Sequence, residues 1–161
     1  MERREILDSG DVGGLRALIA EQPDLAVAEM ENWCDHQDSA APLSYVAMLR
    51  YDTAGSRWRD VPGTAELANL LLTAGAPVDG NPGDDETPLI TAASYGDAEV
   101  ARVLIAAGAS IEARSSDDAG GVPNATALRH AAVFGMTDVL DVLLAAARRS
   151  EASPRPPQPA T

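Results

Sequence analysis

The chain has 161 residues, 30 of them alanine. That length suits one domain, or one short repeat array, burying about two-thirds of its unfolded surface on folding. Twelve arginines and no lysine stand against 25 acids for a net charge of -13, which opposes binding to a phosphate backbone, whose affinity comes from cationic side chains. A solitary Cys34 excludes an intramolecular disulfide scaffold and points to a reducing compartment. No run approaches the roughly 18 apolar residues of a membrane span, and the start Met-Glu-Arg-Arg-Glu lacks the basic-then-apolar order of a signal peptide. The expectation is a soluble, cytoplasmic protein.

From Gly10 the chain reads G-D-V-G-G-L-R-A-L-I, and the pattern returns without gaps three more times. It recurs as G-T-A-E-L-A-N-L-L-L from Gly63, G-D-A-E-V-A-R-V-L-I from Gly96 and G-M-T-D-V-L-D-V-L-L from Gly135, with starts 53, 33 and 39 residues apart. Apolar residues fall at helical spacing in each block, as with Val100, Val103 and Leu104 or Val139, Val142 and Leu143, and so predict amphipathic helices. A second element precedes three of the blocks: A-P-L-S-Y-V-A from Ala41, T-P-L-I-T-A-A from Thr87 and T-A-L-R-H-A-A from Thr126. A Thr hydroxyl can cap the first N–H groups of a helix, and Pro at the first helical position has no N–H to leave unsatisfied. After two of the blocks, Gly75-Ala76 and Gly108-Ala109 supply a residue suited to the left-handed end of a helix.

Each unit is therefore helix, turn, helix and then an extended polar finger. Through the T-P-L-x-x-A-A, G-x-x-E and G-A strings, and the 33-residue spacing from Gly63 to Gly96, the chain resembles the ankyrin repeat family over roughly residues 9–147. The resemblance implies an all-α solenoid of about four stacked units. Expected divisions are a degenerate N-terminal repeat with a long loop over 1–40, three repeats over 41–147 with an insertion at 51–62, and a disordered Pro-rich tail over 148–161. The chain departs from the family pattern where Glu21-Gln22-Pro23-Asp24 replaces Gly-Ala and where Pro82 and Asp85 replace the usual finger residues. Further departures are the insertion, whose Arg57-Trp58-Arg59 is expected at the opposite end of its helix pair, and a finger before Thr126 six residues longer than the period.

Residues able to carry chemistry are few. Cys34, Asp35, His36 and Asp38 lie within five positions but lack the paired spacing of a zinc site. His130 reads as a surface histidine, with no nucleophile placed beside it. Asn124-Ala125-Thr126 is an incidental glycosylation pattern in a cytosolic chain, Pro154 to Pro157 reads as part of a solvated tail, and no glycine-rich loop follows a strand. No catalytic residue, metal or cofactor is expected.

Surface remains. Helical geometry groups Tyr45, Met48 and Leu49, then Thr91, Ser94 and Tyr95, then His130, Val133 and Phe134 as patches on successive inner helices. Stacking would merge them into one strip, with Leu43/Ala47, Leu89/Ala93 and Leu128/Ala132 facing the core; for Leu49 and Phe134 a core role stays open. In the family the resemblance points to, that strip and the finger tips form the concave face that grips a partner. Residues 79–118 hold nine acids and two arginines, among them Asp84, Asp85, Glu86 and Asp117 on the fingers. Aromatics bordered by acids favour a basic or amphipathic protein partner and repel nucleic acid. The expected function is thus non-catalytic protein binding by a monomer, with no membrane partner. Two rivals stand beside it: a small enzyme or small-molecule binder using Tyr45, Tyr95, His130 and the finger aspartates, and an acidic antitoxin or inhibitor protein.

Overall fold

A computed structural model describes residues 2–31, 39–52 and 55–152. Its helices, in chain order, are α1 (Arg3–Asp8), α2 (Val12–Glu21), α3 (Pro42–Ala47), α4 (Thr64–Thr73), α5 (Pro88–Tyr95), α6 (Ala98–Ala106), α7 (Ala127–Val133) and α8 (Thr137–Ala152). A 3-10 turn, Pro23–Ala26, follows α2. Two short antiparallel hairpins complete the order: β1 (Met30–Glu31) with β2 (Ser39–Ala40), and β3 (Tyr51–Asp52) with β4 (Arg57–Trp58). The predicted helical solenoid is what forms. The four repeated blocks are the outer helices α2, α4, α6 and α8. Each pairs with the inner helix before it, and α3, α5 and α7 stack side by side.

Local chemistry sets the helix starts. Thr87 Oγ1 accepts from the Ile90 N–H at 3.2 Å and Thr126 Oγ1 from the Arg129 N–H at 3.4 Å. Asp97 Oδ1 accepts from the Val100 N–H at 3.0 Å and so caps α6 from within the stack. The turn from inner to outer helix is tight: the Asp97 N–H donates to the Ala92 carbonyl and the Met136 N–H to the Ala131 carbonyl. Gly96 makes this possible with φ of 72°, a conformation that costs a residue bearing a β-carbon about 1–2 kcal/mol. A β-carbon there would also lie 2.7 Å from the Met136 sulfur, so successive turns touch where the glycine sits.

The core follows the apolar stripes: Leu43, Leu67, Leu71, Leu89, Leu104 and Leu143 are buried, and Ala47, Ala92, Ala93 and Ala131 let the inner helices approach. Of the pairs expected to face the core, Leu43/Ala47 and Leu89/Ala93 do so. Leu128, 37% exposed, and Ala132 do not, because among the described residues no further unit stacks on α7 and α8. Helix α8 runs through Arg148 and Arg149 to Ala152, five residues into the stretch expected as tail, while 153–161 lie outside the described residues. At the other end, Arg3 donates to the carbonyls of Leu25 and Ala28, each at 2.7 Å, and of Glu29 at 3.0 Å. That fork ties α1 to the 3-10 turn and to the residues that follow it.

The fingers are braced against one another. Asp79 Oδ1 accepts from the Ser110 N–H at 2.9 Å across successive units. The finger with Pro82 and Asp85 turns on two left-handed glycines, Gly80 and Gly83, and Asp84 accepts from the Asn81 N–H at 2.7 Å. The burial pattern yields a paired expectation. Leu104→Ala removes a fully buried side chain of α6 and lowers stability by about 2–5 kcal/mol, whereas the exposed Asp117→Ala stays within about 0.5 kcal/mol of the parent. Urea denaturation followed by circular dichroism checks both, and equal effects would break the assigned register.

Candidate functional site

Each inner helix carries one central position expected on the open strip, and in all three units it is covered instead. Tyr45 is buried under α1: its hydroxyl donates to Asp8 Oδ1 at 2.6 Å, and the Arg4 guanidinium sits 5.9 Å from its ring centre. Burial, reinforced by Asp8, pushes the Tyr45 phenol well above its usual range. Met48 and Leu49 are buried beside it. Thr91 is buried too, its hydroxyl donating to Glu86 Oε2 at 3.3 Å.

His130 corrects the surface reading most sharply, because it is fully buried. The long finger folds back over it. The Ser115 N–H donates to the Ala125 carbonyl at 2.9 Å, Arg114 bridges Thr126, and the Ser116 N–H reaches the Asp85 carbonyl at 2.8 Å. Ser115 Oγ donates to the Val122 carbonyl at 2.6 Å and accepts from the Ala125 N–H at 3.1 Å. His130 Nε2 lies 3.2 Å from Ser115 Oγ, and Nδ1 lies 3.0 Å from the hydroxyl of Ser94, which donates to the Ile90 carbonyl at 3.1 Å. The ring is a buried strut joining the finger, α5 and α7.

The expected acids divide in a similar way. Asp84 serves its own turn, and Asp85 Oδ1 accepts from the Ser116 hydroxyl at 2.6 Å, holding the next finger. Asp117 stands exposed at the finger tip. Glu86, another of the four acids expected to face a partner, lines a cavity.

That cavity, about 470 Å³, gathers what remains of the strip. Ser94, Tyr95 and Phe134 line it, Phe134 being 44% exposed, and Val133 is exposed outside it. Two further aromatics come from the insertion: the β3–β4 pairing sets Tyr51 opposite Trp58, their ring centres 4.9 Å apart edge-on, and Tyr51 stacks on Tyr95 at 6.1 Å. Trp58 is 56% exposed. The insertion thus lies beside the inner helices and not at the opposite end of its helix pair. Gly120 and Gly121 of the long finger close the other side. A neighbouring cavity of about 240 Å³ shares Trp58, Tyr95 and Met136 and adds Arg50, Asp138 and Val139. Together they form one trough with an aromatic rib across its middle.

Tyr51 is absent from the sequence reading, which places Trp58 at the wrong end of its helix pair, although a signal for both was present. Tyr51 directly follows the inner-helix segment, and Asp52 with Gly55 makes a turn, Asp52 Oδ1 accepting from the Gly55 N–H at 3.1 Å. A hairpin closed there carries both aromatics back toward the helix end where Tyr95 sits. The Cys34, Asp35, His36 and Asp38 cluster lies outside the described residues, and among those described no three His, Cys, Asp or Glu side chains gather as metal ligands.

A family model of ankyrin repeats, in three copies, matches residues 61–153. No curated protein matches the chain significantly.

Burial holds the His130 imidazole below its ordinary 6.5, against a smaller opposing pull from the Val122 carbonyl. The unfolded chain therefore takes up the proton first, so stability drops as pH falls from 6.5 through the lower folded value and is unaffected by this group above 6.5. The urea midpoint of the parent should fall between neutral and mildly acidic buffer by more than that of His130→Gln. Parallel curves would show that the ring is not held neutral.

Proposed function

The chain belongs to the ankyrin-repeat family, and from that premise we propose that it is a non-catalytic protein-binding module whose trough, rimmed by acidic fingers, holds a basic or amphipathic protein partner. Ankyrin repeats are generally protein–protein interaction modules. The observation that carries the reading is the aromatic rib: Trp58 and Phe134 stand substantially exposed over a cavity of about 470 Å³ in a chain of net charge -13. Exposed aromatics on a rigid stack are the residue type that dominates binding energy at interfaces, while surrounding charge sets partner choice and association rate. The monomer acts alone and in the cytoplasm on this reading. Among the described residues no helix is long and apolar enough to cross a membrane.

Of the site residues expected from sequence, Ser94, Tyr95, Phe134 and Glu86 stay in the proposed contact surface, joined by Tyr51 and Trp58. Tyr45, Met48, Thr91 and His130 are buried and leave that surface. Asp117 remains as a steering charge, while Asp84 and Asp85 act through the shape of the fingers.

The test begins with a partner purified on the immobilised parent chain. Trp58→Ala and Phe134→Ala, both at exposed side chains, should each speed its dissociation roughly tenfold with melting temperature unchanged. Neutralising Asp117 and Asp118 together should instead slow association several-fold and flatten its salt dependence. A partner held equally well by folded Trp58→Ala and Phe134→Ala would overturn the proposal.

A further inference from the structure

Granting that the trough is the protein-binding surface, its chemistry narrows what the partner must present. We propose that the larger cavity receives an arginine side chain from an extended segment of the partner, stacked on the aromatic rib and paired with Glu86.

The side chains that line the cavity include four aromatic rings and one carboxylate, with glycine forming the opposite edge. Aromatic faces carry negative potential and attract cations, arginine more often than lysine. The Glu86 carboxyl group lines the same cavity and accepts from the Thr91 hydroxyl at 3.3 Å. A carboxylate offers about four lone-pair sites over two oxygens, and the fork of a guanidinium can address both oxygens at once.

Among cations, the guanidinium uses all of this lining. It is planar, weakly hydrated, stacks on rings and presents N–H donors in a fork that matches a carboxylate. A compact ammonium holds its water more firmly, and a quaternary ammonium has no N–H to give Glu86. The volume of about 470 Å³ lies within the span of roughly 300–1,000 Å³ typical of ligand pockets, leaving space for a long side chain along with its head group.

Direction follows from the neighbouring cavity. There Arg50, whose Nη1 donates to the Gly96 carbonyl at 2.7 Å, places a positive charge on the far side of the rib from Glu86. Asp138 lines that cavity too and offsets the Arg50 charge, whereas the larger cavity is lined by Glu86 and no arginine, so the arginine belongs at the Glu86 end while the peptide continues over Trp58 and Met136, which both cavities share. The finger acids Asp117 and Asp118 lie beside Gly120 and Gly121 in sequence and add attraction on the same side.

The test uses the full chain and a capped pentapeptide, Gly-Gly-Arg-Gly-Gly, followed by the indole N–H resonance of Trp58, which is assigned by its loss in Trp58→Phe. The arginine peptide should move that resonance saturably in the millimolar range or below. Its citrulline counterpart, neutral and nearly isosteric, should bind about tenfold more weakly, and the lysine peptide several-fold more weakly. Glu86→Gln should reduce affinity for the arginine peptide roughly tenfold while leaving citrulline binding unchanged. Equal affinities for arginine and citrulline would overturn the proposal, as would a trimethyllysine peptide that binds better than arginine, or an unmoved Trp58 resonance at about ten millimolar peptide. If Trp58→Ala and Phe134→Ala still release the purified partner in that event, protein binding by the trough stands and the arginine assignment alone falls.

Discussion

A β-carbon on Gly96 would collide with Met136, and one on Gly10 would lie 2.1 Å from the Pro62 carbonyl oxygen. Both glycines have left-handed backbones, φ 72° and 70°, at the reversal between an inner and an outer helix. Two demands meet at one residue type: the chain must reverse within a few residues, and its neighbour in the stack must come close enough to touch the bend. The separation of adjacent units at this edge is consequently set by backbone against side chain, with little left to adjust. Gly96 and Met136 also line the smaller cavity, and Met136 the larger. The floor of the trough is a product of the same contact that spaces the stack.

Its walls have a different origin. One is the β3–β4 hairpin, inserted between the paired helices of the second unit, and the other is the long finger between α6 and α7. Both are departures from the repeat period. The hairpin base is held by the Arg59 N–H on the Arg50 carbonyl at 2.8 Å and by Arg59 Nε on the Leu49 carbonyl at 2.6 Å. Its outer ion pair, Arg57 with Asp52 at 3.4 Å, involves an arginine side chain that is mostly in water and contributes little. The finger is held by hydroxyls, Ser115 toward His130 and Ser116 toward Asp85. Regular units supply the frame, and irregular segments shape the walls of the trough.

This division explains what could be read from sequence. The outer helices were legible because the apolar stripe and the preceding glycine recur in register, and the caps Thr87 and Thr126 were legible because capping is decided within four residues. Burial at Tyr45, Thr91 and His130 was not, since helical periodicity says which residues share a face but not what another segment lays over that face. Tyr45 is covered by α1, more than thirty residues away in sequence, with Asp8 as its partner. His130 is covered by a finger whose fold-back depends on Ser115 satisfying three neighbours at once. The exposure of Leu128 was equally hidden, because its pattern is that of a residue beneath another unit. Trp58 was seen as part of an insertion, but its aim depends on the hairpin register that pairs it with Tyr51.

Inserted as it is between α3 and α4, the hairpin contributes Trp58 to the trough while Gly55, Ser56 and Arg57 point into solvent; burial resumes at Val61. Its strands fasten to the frame through Arg50 and Arg59, chiefly by way of main-chain carbonyls, which persist whatever side chains occupy the turn. Such a segment behaves as a cassette. Natural variation, or a designed loop library, can rewrite residues 52–58 without disturbing the buried leucines that make the array cooperative. The lining of the trough can then change while the scaffold around it stays the same.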